Sequence, residues 1–296
     1  MRAILNKGNP TVSGLALVLV LIAAVIHATW NLLAKKAGGG PPFVWLYGAT
    51  SAVLYTPVYL LFFLFHPEPV GRLALLFIAG SGLIHLAYFL LLQHGYDIGD
   101  LSLIYPLARG TGPLLSAAAA IAFFGERPSA IAIAGALLVA ASIFLFAQPP
   151  KDSSLHFSKG VVFGLVIGVL IACYTLWDKR GVGTYGIAPL LMEFGTILGR
   201  AVFLAPVAAR NWDDVARQWR THRREIFWIG LLNPLAYLLV LYVMISTPVS
   251  YVAPAREVSI LIGTVFGAKL LSESGATRRI LAASAMVAGI AALALG

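Results

Sequence analysis

Residues 101–128 decide the fold, because the segment LSLIYPLARGTGPLLSAAAAIAFFGERP returns in altered form 147 positions later, at residues 248–275. The second copy reads PVSYVAPAREVSILIGTVFGAKLLSESG. Charged positions coincide when the copies are superimposed: Arg109 falls on Arg256, and Glu126 falls on Glu273. Charges inside apolar sequence are costly, so their agreement argues against chance similarity.

Small residues coincide as well, at every fourth position. The pairs are Ala108 with Ala255, Gly112 with Ser259, Ser116 with Gly263, and Ala120 with Gly267. This spacing makes one flat stripe on a helix, which lets two helix backbones approach closely. Chance in a chain rich in Ala and Gly is the alternative, and the charged pairs speak against it. We therefore predict two related halves, residues 1–148 and 149–296, that together form one domain.

The composition is that of a membrane protein. Hydrophobic residues make up 59% of the 296 residues and charged residues only 11%, against about 25% charged in soluble domains. The mean hydropathy of +0.87 agrees. A spanning helix needs about 20 apolar residues. The runs that qualify are 12–34, 43–65, 73–94, 102–124, 129–147, 160–178, 187–209, 226–246, 249–271 and 278–296.

The pattern predicts an all-α membrane protein with ten transmembrane helices, five in each half. Because five is odd, the second half must enter the membrane in the opposite direction. That arrangement gives inverted-topology repeats related by a pseudo-two-fold axis in the membrane plane, with ligand sites near the midplane between them. Two equivalent halves can exchange conformations, which produces inward-open and outward-open states.

Several function classes are disfavoured by what the sequence lacks. The one cysteine, Cys173, rules out a disulfide framework and a cysteine metal site. No nucleotide-binding loop, His-Glu-x-x-His or Gly-x-Ser-x-Gly occurs, so ATP drive, a metal site and a membrane enzyme are disfavoured. The net charge of +9 lies in short loops between apolar runs, where it is a topology signal rather than a nucleic-acid site. We expect no cofactor and a monomer in the lipid bilayer.

Four segments resemble the drug/metabolite transporter superfamily, specifically its ten-helix EamA type. They are His27-Ala28-Thr29-Trp30-Asn31, Gly99-Asp100-Leu101-Ser102, Tyr105-Pro106-Leu107-Ala108-Arg109-Gly110 and Gly125-Glu126-Arg127-Pro128. The resemblance implies an inverted five-plus-five bundle with a central cavity in a bacterial inner membrane, exporting amino acids or other metabolites. Aromatic amino-acid exporters of the YddG type are the most similar specific group.

The orientation of the chain is predicted differently by two criteria. Ten helices place both termini on one side of the membrane, and the loops on the opposite side carry more Lys and Arg, largely because of residues 210–224. The positive-inside rule alone therefore places the termini outside. The family resemblance implies cytoplasmic termini, and we adopt that expectation.

Two in-span arginines are candidates for binding a substrate carboxylate. Arg109 could hold a carboxylate by a bidentate pair, or it could be structural and bond to helix-end carbonyls. Arg256 is its counterpart in the second half, but Glu257 follows it and could neutralise it locally. We therefore prefer Arg109 for the substrate and a structural role for Arg256.

Polar and aromatic residues in other spans complete the predicted site. His27 and Asn31 share one helix face, as do His85 and Tyr88; a histidine there could relay a proton or could be neutral and hydrogen-bonded to a neighbouring helix. Glu193 is a further proton-coupling candidate, or a partner for Arg200. The aromatic candidates for the substrate pocket are Trp30, Tyr88, Tyr105, Tyr237 and Tyr251, although membrane Trp and Tyr are often interface anchors. We interpret Trp177, which precedes Asp178-Lys179-Arg180, as such an anchor.

The leading hypothesis is a secondary transporter that exports small metabolites, with aromatic or hydrophobic amino acids as the sharper prediction. An exporter of other drug-like or cationic compounds is the alternative within transport, and only Glu193 or Glu257 could serve as its central anion. A membrane enzyme or a non-transporting membrane subunit belongs to a different class. The sequence does not decide whether transport is driven by the substrate gradient, by proton exchange or by a counter-substrate.

Overall fold

The computed structural model describes residues 13–37, 40–67, 70–98, 101–146, 154–262 and 276–296, except for the side chains at 35, 93, 95–98, 101–106, 146, 154–159 and 276–280. Within these ranges the chain is helical and forms no strand. The helices are α1 Gly14–Ala37, α2 Pro41–Phe65, α3 Arg72–Ile98, α4 Leu101–Phe124, α5 Ala130–Phe146, α6 Ser154–Lys179, α7 Pro189–Arg210, α8 Trp212–Met244, α9 Val249–Ala255 and α10 Ala276–Leu295.

Helix ends follow local sequence signals. Proline occupies the first helical position of α2 and of α7, where its missing N–H costs nothing and its fixed φ suits the helix. Gly125 has a φ of 68° immediately after α4, the left-handed conformation in which glycine stops helices. The Gly-Glu-Arg-Pro segment is therefore a helix stop that turns the chain into α5.

Seven of the described helices are long and apolar enough to cross a membrane: α1, α2, α3, α4, α6, α7 and α8. Helices α5 and α10 contain shorter apolar segments, Ala130–Leu145 and Leu281–Leu295. The ninth predicted span, 249–271, extends past residue 262 and so lies partly outside the described residues. The chain is thus a multi-pass membrane protein by its helices, and the count of ten spans stays a prediction.

Two of the predicted spans have different limits in the structure. Helix α8 begins at Trp212 rather than at residue 226, because the polar segment before the span is itself helical and joins it through a kink at His222 (φ −124°, ψ 25°). Helix α9 ends at Ala255, residues 256–257 form a turn, and the helix resumes at 258–262. Pro254 contributes to this interruption, since it lacks the N–H that continues a helix.

Helices pack in pairs that cross between the two halves. Helix α1 packs on α8, α3 on α6 and α7, α2 on α7 and α8, α4 on α6 and α9, and α5 on α10. The small-residue stripe of α4 allows close packing: a Cβ at Gly112 would lie 2.7 Å from Ile171 Cγ2 and 3.3 Å from the Gly168 carbonyl of α6. The close backbone approach predicted from the stripe is confirmed at this contact.

Large apolar side chains cover the outside of the bundle. Leu64, Phe65 and Phe123 are each more than 70% exposed, an arrangement that would cause aggregation in water and is normal in lipid. Polar and charged side chains are buried instead, among them Arg109, Asp178, Glu193 and Glu257. The bundle therefore gathers its polar groups between the helices, which is where a transport pathway would lie.

Candidate functional site

A cavity lies between the helices of both halves, and we call it the central cavity. Its lining residues are Ala23, Ala24, His27, Trp30, His85, Tyr88, Phe89, Arg109, Tyr174, Glu193, Arg200, Asn233, Ala236, Tyr237, Val240 and Arg256. The space open to water molecules is about 60 Å³, which corresponds to roughly four to six water positions. Drug-sized pockets are several hundred Å³, so this conformation is too narrow for a metabolite.

Most of the predicted site residues come together at the central cavity. Those that line it are His27, Trp30, His85, Tyr88, Arg109, Glu193, Tyr237 and Arg256. The side chain of Tyr105 lies outside the described residues. Two predicted residues lie elsewhere: Asn31 donates from Nδ2 to the carbonyl of His27 at 2.8 Å on its own helix, and Tyr251 is buried against α5 and α10.

Tyr251 has a structural environment. Its hydroxyl lies 3.3 Å from the carbonyl oxygen of Gly296 and 3.4 Å from the backbone N–H of Ser129, which donates to it. The side chain is 1% exposed. It therefore ties the start of α5 to the end of α10, and it makes no contribution to the cavity lining in this conformation.

Arg109 is neutralised by Glu257. Its Nε lies 2.9 Å from Glu257 Oε2, and both side chains are at most 5% exposed. Its Nη2 also donates to Ser259 Oγ at 3.1 Å. The positive charge of Arg109, which we expected to bind a substrate carboxylate, thus forms an ion pair between α4 and the turn after α9.

Arg256 has the opposite environment from the one expected. Glu257 points to Arg109 rather than to its neighbour, because the turn at 256–257 separates the two side chains. The Arg256 guanidinium carbon lies 5.5 Å from the ring centroid of Tyr237, over the ring, and lines the central cavity. Among the residues that the structure describes, it forms no ion pair. The geometry thus does not support the preference for Arg109 over Arg256, and which of the two binds a carboxylate stays a prediction.

Glu193 and Arg200 interact within α7. This agrees with the second of the two predictions for Glu193, that it is a partner for Arg200. Arg200 Nη2 lies 3.8 Å from Glu193 Oε1, which is close for residues two turns apart. Arg200 also lies 5.2 Å over the ring of Phe89. Its Nε is buried and has no hydrogen-bond partner among the described residues, so one donor remains available at the cavity.

Rings surround the cavity in contact with one another. The His85 ring stacks on Tyr174 with centroids 4.2 Å apart, and its Nδ1 lies 2.9 Å from the carbonyl oxygen of Ser81. A carbonyl can only accept, so Nδ1 carries the hydrogen and Nε2 is left as an acceptor. The His27 and Trp30 rings meet edge to face at 4.9 Å, and Trp30 Nε1 has no hydrogen-bond partner in the described part of the chain.

Sequence reasoning missed Asp178, which is completely buried. Tyr237 donates to its Oδ2 at 2.5 Å. Trp177 beside it is not an interface anchor: its Nε1 donates to the Phe77 carbonyl at 2.8 Å, and its ring packs on Gly80 of α3. The repeat could have indicated Asp178, because the shift of 147 positions aligns it with Asn31, a residue that the sequence predicts to lie in the site.

One end of the bundle is sealed, and we call it the Glu126 end. The Glu126 carboxylate accepts the backbone N–H groups of Val249 and Ser250 at 2.8 and 2.9 Å. Lys179 donates to the carbonyls of Met244 and Thr247 at 2.7 and 3.0 Å. A cluster of buried apolar residues from α1, α3, α4, α7, α8 and α9 shares Ala23 and Val240 with the cavity lining, so apolar packing extends from the cavity toward this end.

No group of three or more His, Cys, Asp or Glu side chains with metal-binding geometry is found in the part of the chain that the structure describes. The chemistry at the central cavity is that of three arginines, buried carboxylates and aromatic rings. Such a set binds and orients a ligand with an acidic group.

Comparisons with known proteins find a domain of a transporter family in the first half of the chain. Residues 14–148 match the model of the EamA-like transporter family, so the first half of the chain contains a domain of that family. Comparison with curated proteins gave no match. Among solved structures, 29 chains match. One is a crystal structure of a protein with 17% sequence identity and a TM-score of 0.72, and the alignment covers 95% of this chain and 96% of that one. At this identity the likeness shows the fold alone.

Proposed function

We propose that this chain, whose residues 14–148 contain an EamA-like domain, is a secondary transporter that exports small metabolites with a carboxylate group. Aromatic and other hydrophobic amino acids are the substrates that the lining favours. Transport proceeds by alternating access to the central cavity, between two inverted five-helix halves. The exporter works as a monomer in the bacterial inner membrane, with cytoplasmic termini.

The observation that carries the proposal is that Arg256 faces the cavity while no described carboxylate forms an ion pair with it. Arg109 is paired with Glu257 and Arg200 lies near Glu193, whereas Arg256 faces the cavity without a carboxylate partner among the described residues. A guanidinium in a low-dielectric site binds a carboxylate by a charge-assisted bidentate pair. The Tyr237 ring beneath it fixes its orientation.

The rest of the lining suits an amino acid with an apolar side chain. Trp30, Tyr88, Phe89 and Tyr174 offer ring faces and edges for an aromatic or aliphatic group. Trp30 Nε1 and Arg200 Nε are donors without hydrogen-bond partners in the described part of the chain. His27, His85 and Glu193 also line the cavity, and each is a candidate for proton coupling.

The packing of the helices supports alternating access. If each helix of the first half corresponds to the helix five places later, the contact of α1 with α8 corresponds to that of α6 with α3. The contact of α2 with α8 corresponds in the same way to that of α7 with α3, and all four contacts are present. A narrow cavity sealed at the Glu126 end is one state of such a cycle, and the substrate enters when the helices separate.

The test is a flux screen with the purified full-length chain in liposomes. Radiolabelled amino acids and nucleobases are loaded inside, and efflux is measured with and without a pH gradient. We expect efflux of L-phenylalanine or another hydrophobic amino acid above that of empty liposomes. The absence of flux for every compound in the screen would contradict transport of this substrate class.

Arg256→Ala tests the carboxylate role. Loss of a bidentate charged pair costs about 2–5 kcal/mol when the site is buried, so we expect the Kd for L-phenylalanine to rise at least thirtyfold, with a partial effect for Arg256→Lys. Arg217→Ala is the matched control, because Arg217 is exposed and pairs only with Asp214 at 2.7 Å. Equal affinity in Arg256→Ala and the control would exclude Arg256 as the ligand.

A further inference from the structure

Asp178 is a buried acid whose environment no structural role explains. It lies beside the central cavity but does not line it, because Tyr237 stands between the carboxylate and the cavity. The Tyr237 hydroxyl binds Oδ2 and the Ser81 hydroxyl interacts with the carboxylate, while Oδ1 makes no hydrogen bond of standard geometry among the residues that the structure describes. No cation forms an ion pair with it within the described part of the chain. An ionised carboxylate in such a place is expensive, and protonation removes the cost.

The charges around the cavity balance only when Asp178 is ionised. The cations are Arg109, Arg200 and Arg256, and the acids are Glu193, Glu257 and Asp178. Glu257 and Glu193 are matched by Arg109 and Arg200. The charge that remains to balance Asp178 is that of Arg256. The two side chains do not touch, but both contact Tyr237: Arg256 lies over its ring and Asp178 accepts from its hydroxyl. A substrate carboxylate that binds Arg256 adds a negative charge to a neutral set.

We propose that Asp178 is the proton-binding site of this transporter, and that a proton binds there when a substrate carboxylate binds Arg256. The inference rests on the proposed function. Both carboxylates draw on the same cation, so the arrival of one favours protonation of the other. The Tyr237 hydroxyl gives its proton to Oδ2 and receives one from a hydronium ion that reaches the cavity from solvent and leaves as water, so that the phenol is unchanged and the acid gains one proton. Substrate and proton then leave the cell together, so the outward substrate gradient, and not the inward proton gradient, drives export.

Other ionisable groups face Asp178 from the helices around it, and each must be considered in the test. They are Tyr237 on α8, Arg256 after α9, Glu193 and Arg200 on α7, and His85 on α3, whose ring contacts Tyr237 at 5.3 Å. Lys179 is adjacent in sequence but donates to carbonyls at the Glu126 end. Glu193 is the one other acid in this set, and Glu193→Gln tests it as the alternative proton site.

The experiment measures proton uptake on binding of L-phenylalanine to the purified full-length chain. Calorimetry in two buffers of different ionisation enthalpy gives the number of protons taken up per ligand. We expect about one proton in the wild type, and an apparent Kd that falls about tenfold for each unit of pH decrease where the linkage is complete. Asp178→Asn should abolish both effects, while Asp178→Glu and the control Asp213→Asn, at an exposed position on α8, should retain them.

Three results would overturn the proposal. One is binding of L-phenylalanine to the wild type without proton uptake, which needs no variant and so does not depend on whether Asp178→Asn folds. Another is proton uptake that persists in Asp178→Asn and disappears in Glu193→Gln. The third is flux that depends on sodium and not on pH. If no amino acid in the flux screen is transported or bound, the proposed function fails instead, so the two failures are distinguishable.

Discussion

At the scale of residues, the buried ion pair of Arg109 and Glu257 raises the question of how much such a pair contributes to the stability of the fold. Both side chains are almost fully excluded from solvent. Removal of one partner from a buried pair costs about 3–5 kcal/mol, because the other charge is left alone, whereas replacement of both by apolar residues is often neutral. The pair is therefore a better candidate for specifying the contact between α4 and the turn after α9 than for adding net stability.

We predict that Arg109→Met or Glu257→Met lowers the free energy of unfolding by about 3–5 kcal/mol, while the double variant recovers most of the loss. Unfolding of the full-length chain by SDS titration measures all three. Thr221→Ala, at an exposed position on the polar part of α8, controls for effects of substitution as such. A double variant as unstable as the sum of the single variants would show that the pair acts through other neighbours.

The sequence placed most of the cavity residues but could not assign their partners. In-span polarity identified His27, His85 and both arginines, because lipid makes such residues costly unless they serve a site. Which arginine meets Glu257 depends on the turn at 256–257, and a continuous apolar run does not reveal a turn. Asp178 was missed because it lies next to Lys179 and Arg180 at the end of a span, where charges usually face the membrane surface.

At the scale of elements, Glu126 joins two helices that do not follow each other in the chain. Its carboxylate caps the first backbone N–H groups of α9 from the turn between α4 and α5. The first N–H groups of a helix lack internal partners, and a carboxylate there also meets the positive end of the helix dipole. Glu126 thus joins the α4–α5 turn to the start of α9 at this end of the bundle, and opening of this end under the proposed alternating access would break these contacts.

We predict that Glu126→Ala opens the Glu126 end more often. In a Cys173→Ser background, Val252→Cys places a thiol in the apolar cluster beneath the cap, where Val252 is 2% exposed. Its modification by a water-soluble thiol reagent should become severalfold faster in Glu126→Ala and change less in Glu126→Gln, which keeps one acceptor oxygen. Asp214→Ala, an exposed carboxylate on α8, is the matched control. Equal rates in Glu126→Ala and this control would mean that the cap does not hold the end closed.

Helix limits show what hydropathy can and cannot predict at this scale. The apolar runs located the ends of α1 to α7 within four residues, because a spanning helix must satisfy its own backbone hydrogen bonds in lipid. The exception is the start of α6, which lies at Ser154 and not at residue 160. The start of α8 was placed too late, since Trp212 to Arg224 is amphipathic rather than apolar and helix continues through it. The Glu126 motif was visible in the sequence, but its target, the start of α9, depends on the tertiary fold.

At the scale of the whole molecule, the helices group into two packed sets that exchange under the proposed repeat symmetry. In the first set, α8 packs against both α1 and α2, and the chain connects α1 to α2. In the second set, α3 packs against both α6 and α7, and the chain connects α6 to α7. The proposed symmetry maps each set onto the other with its direction reversed. If the sets rock as rigid bodies, closing one end of the cavity must open the other.

We therefore predict that distances at the two ends change in opposite senses. In the Cys173→Ser background, spin labels at Arg72→Cys and Ser246→Cys join the two sets at the Glu126 end, and labels at Lys36→Cys and His94→Cys join them at the opposite end; all four positions are exposed. When L-phenylalanine or a change of pH shifts the population, the mean distance of one pair should lengthen as that of the other shortens. Labels at Lys36→Cys and Arg224→Cys, both on the first set, should keep a constant distance. Two ends that lengthen together would indicate loosening of the bundle rather than alternating access, because a rigid exchange about a dyad in the membrane plane cannot open both ends at once.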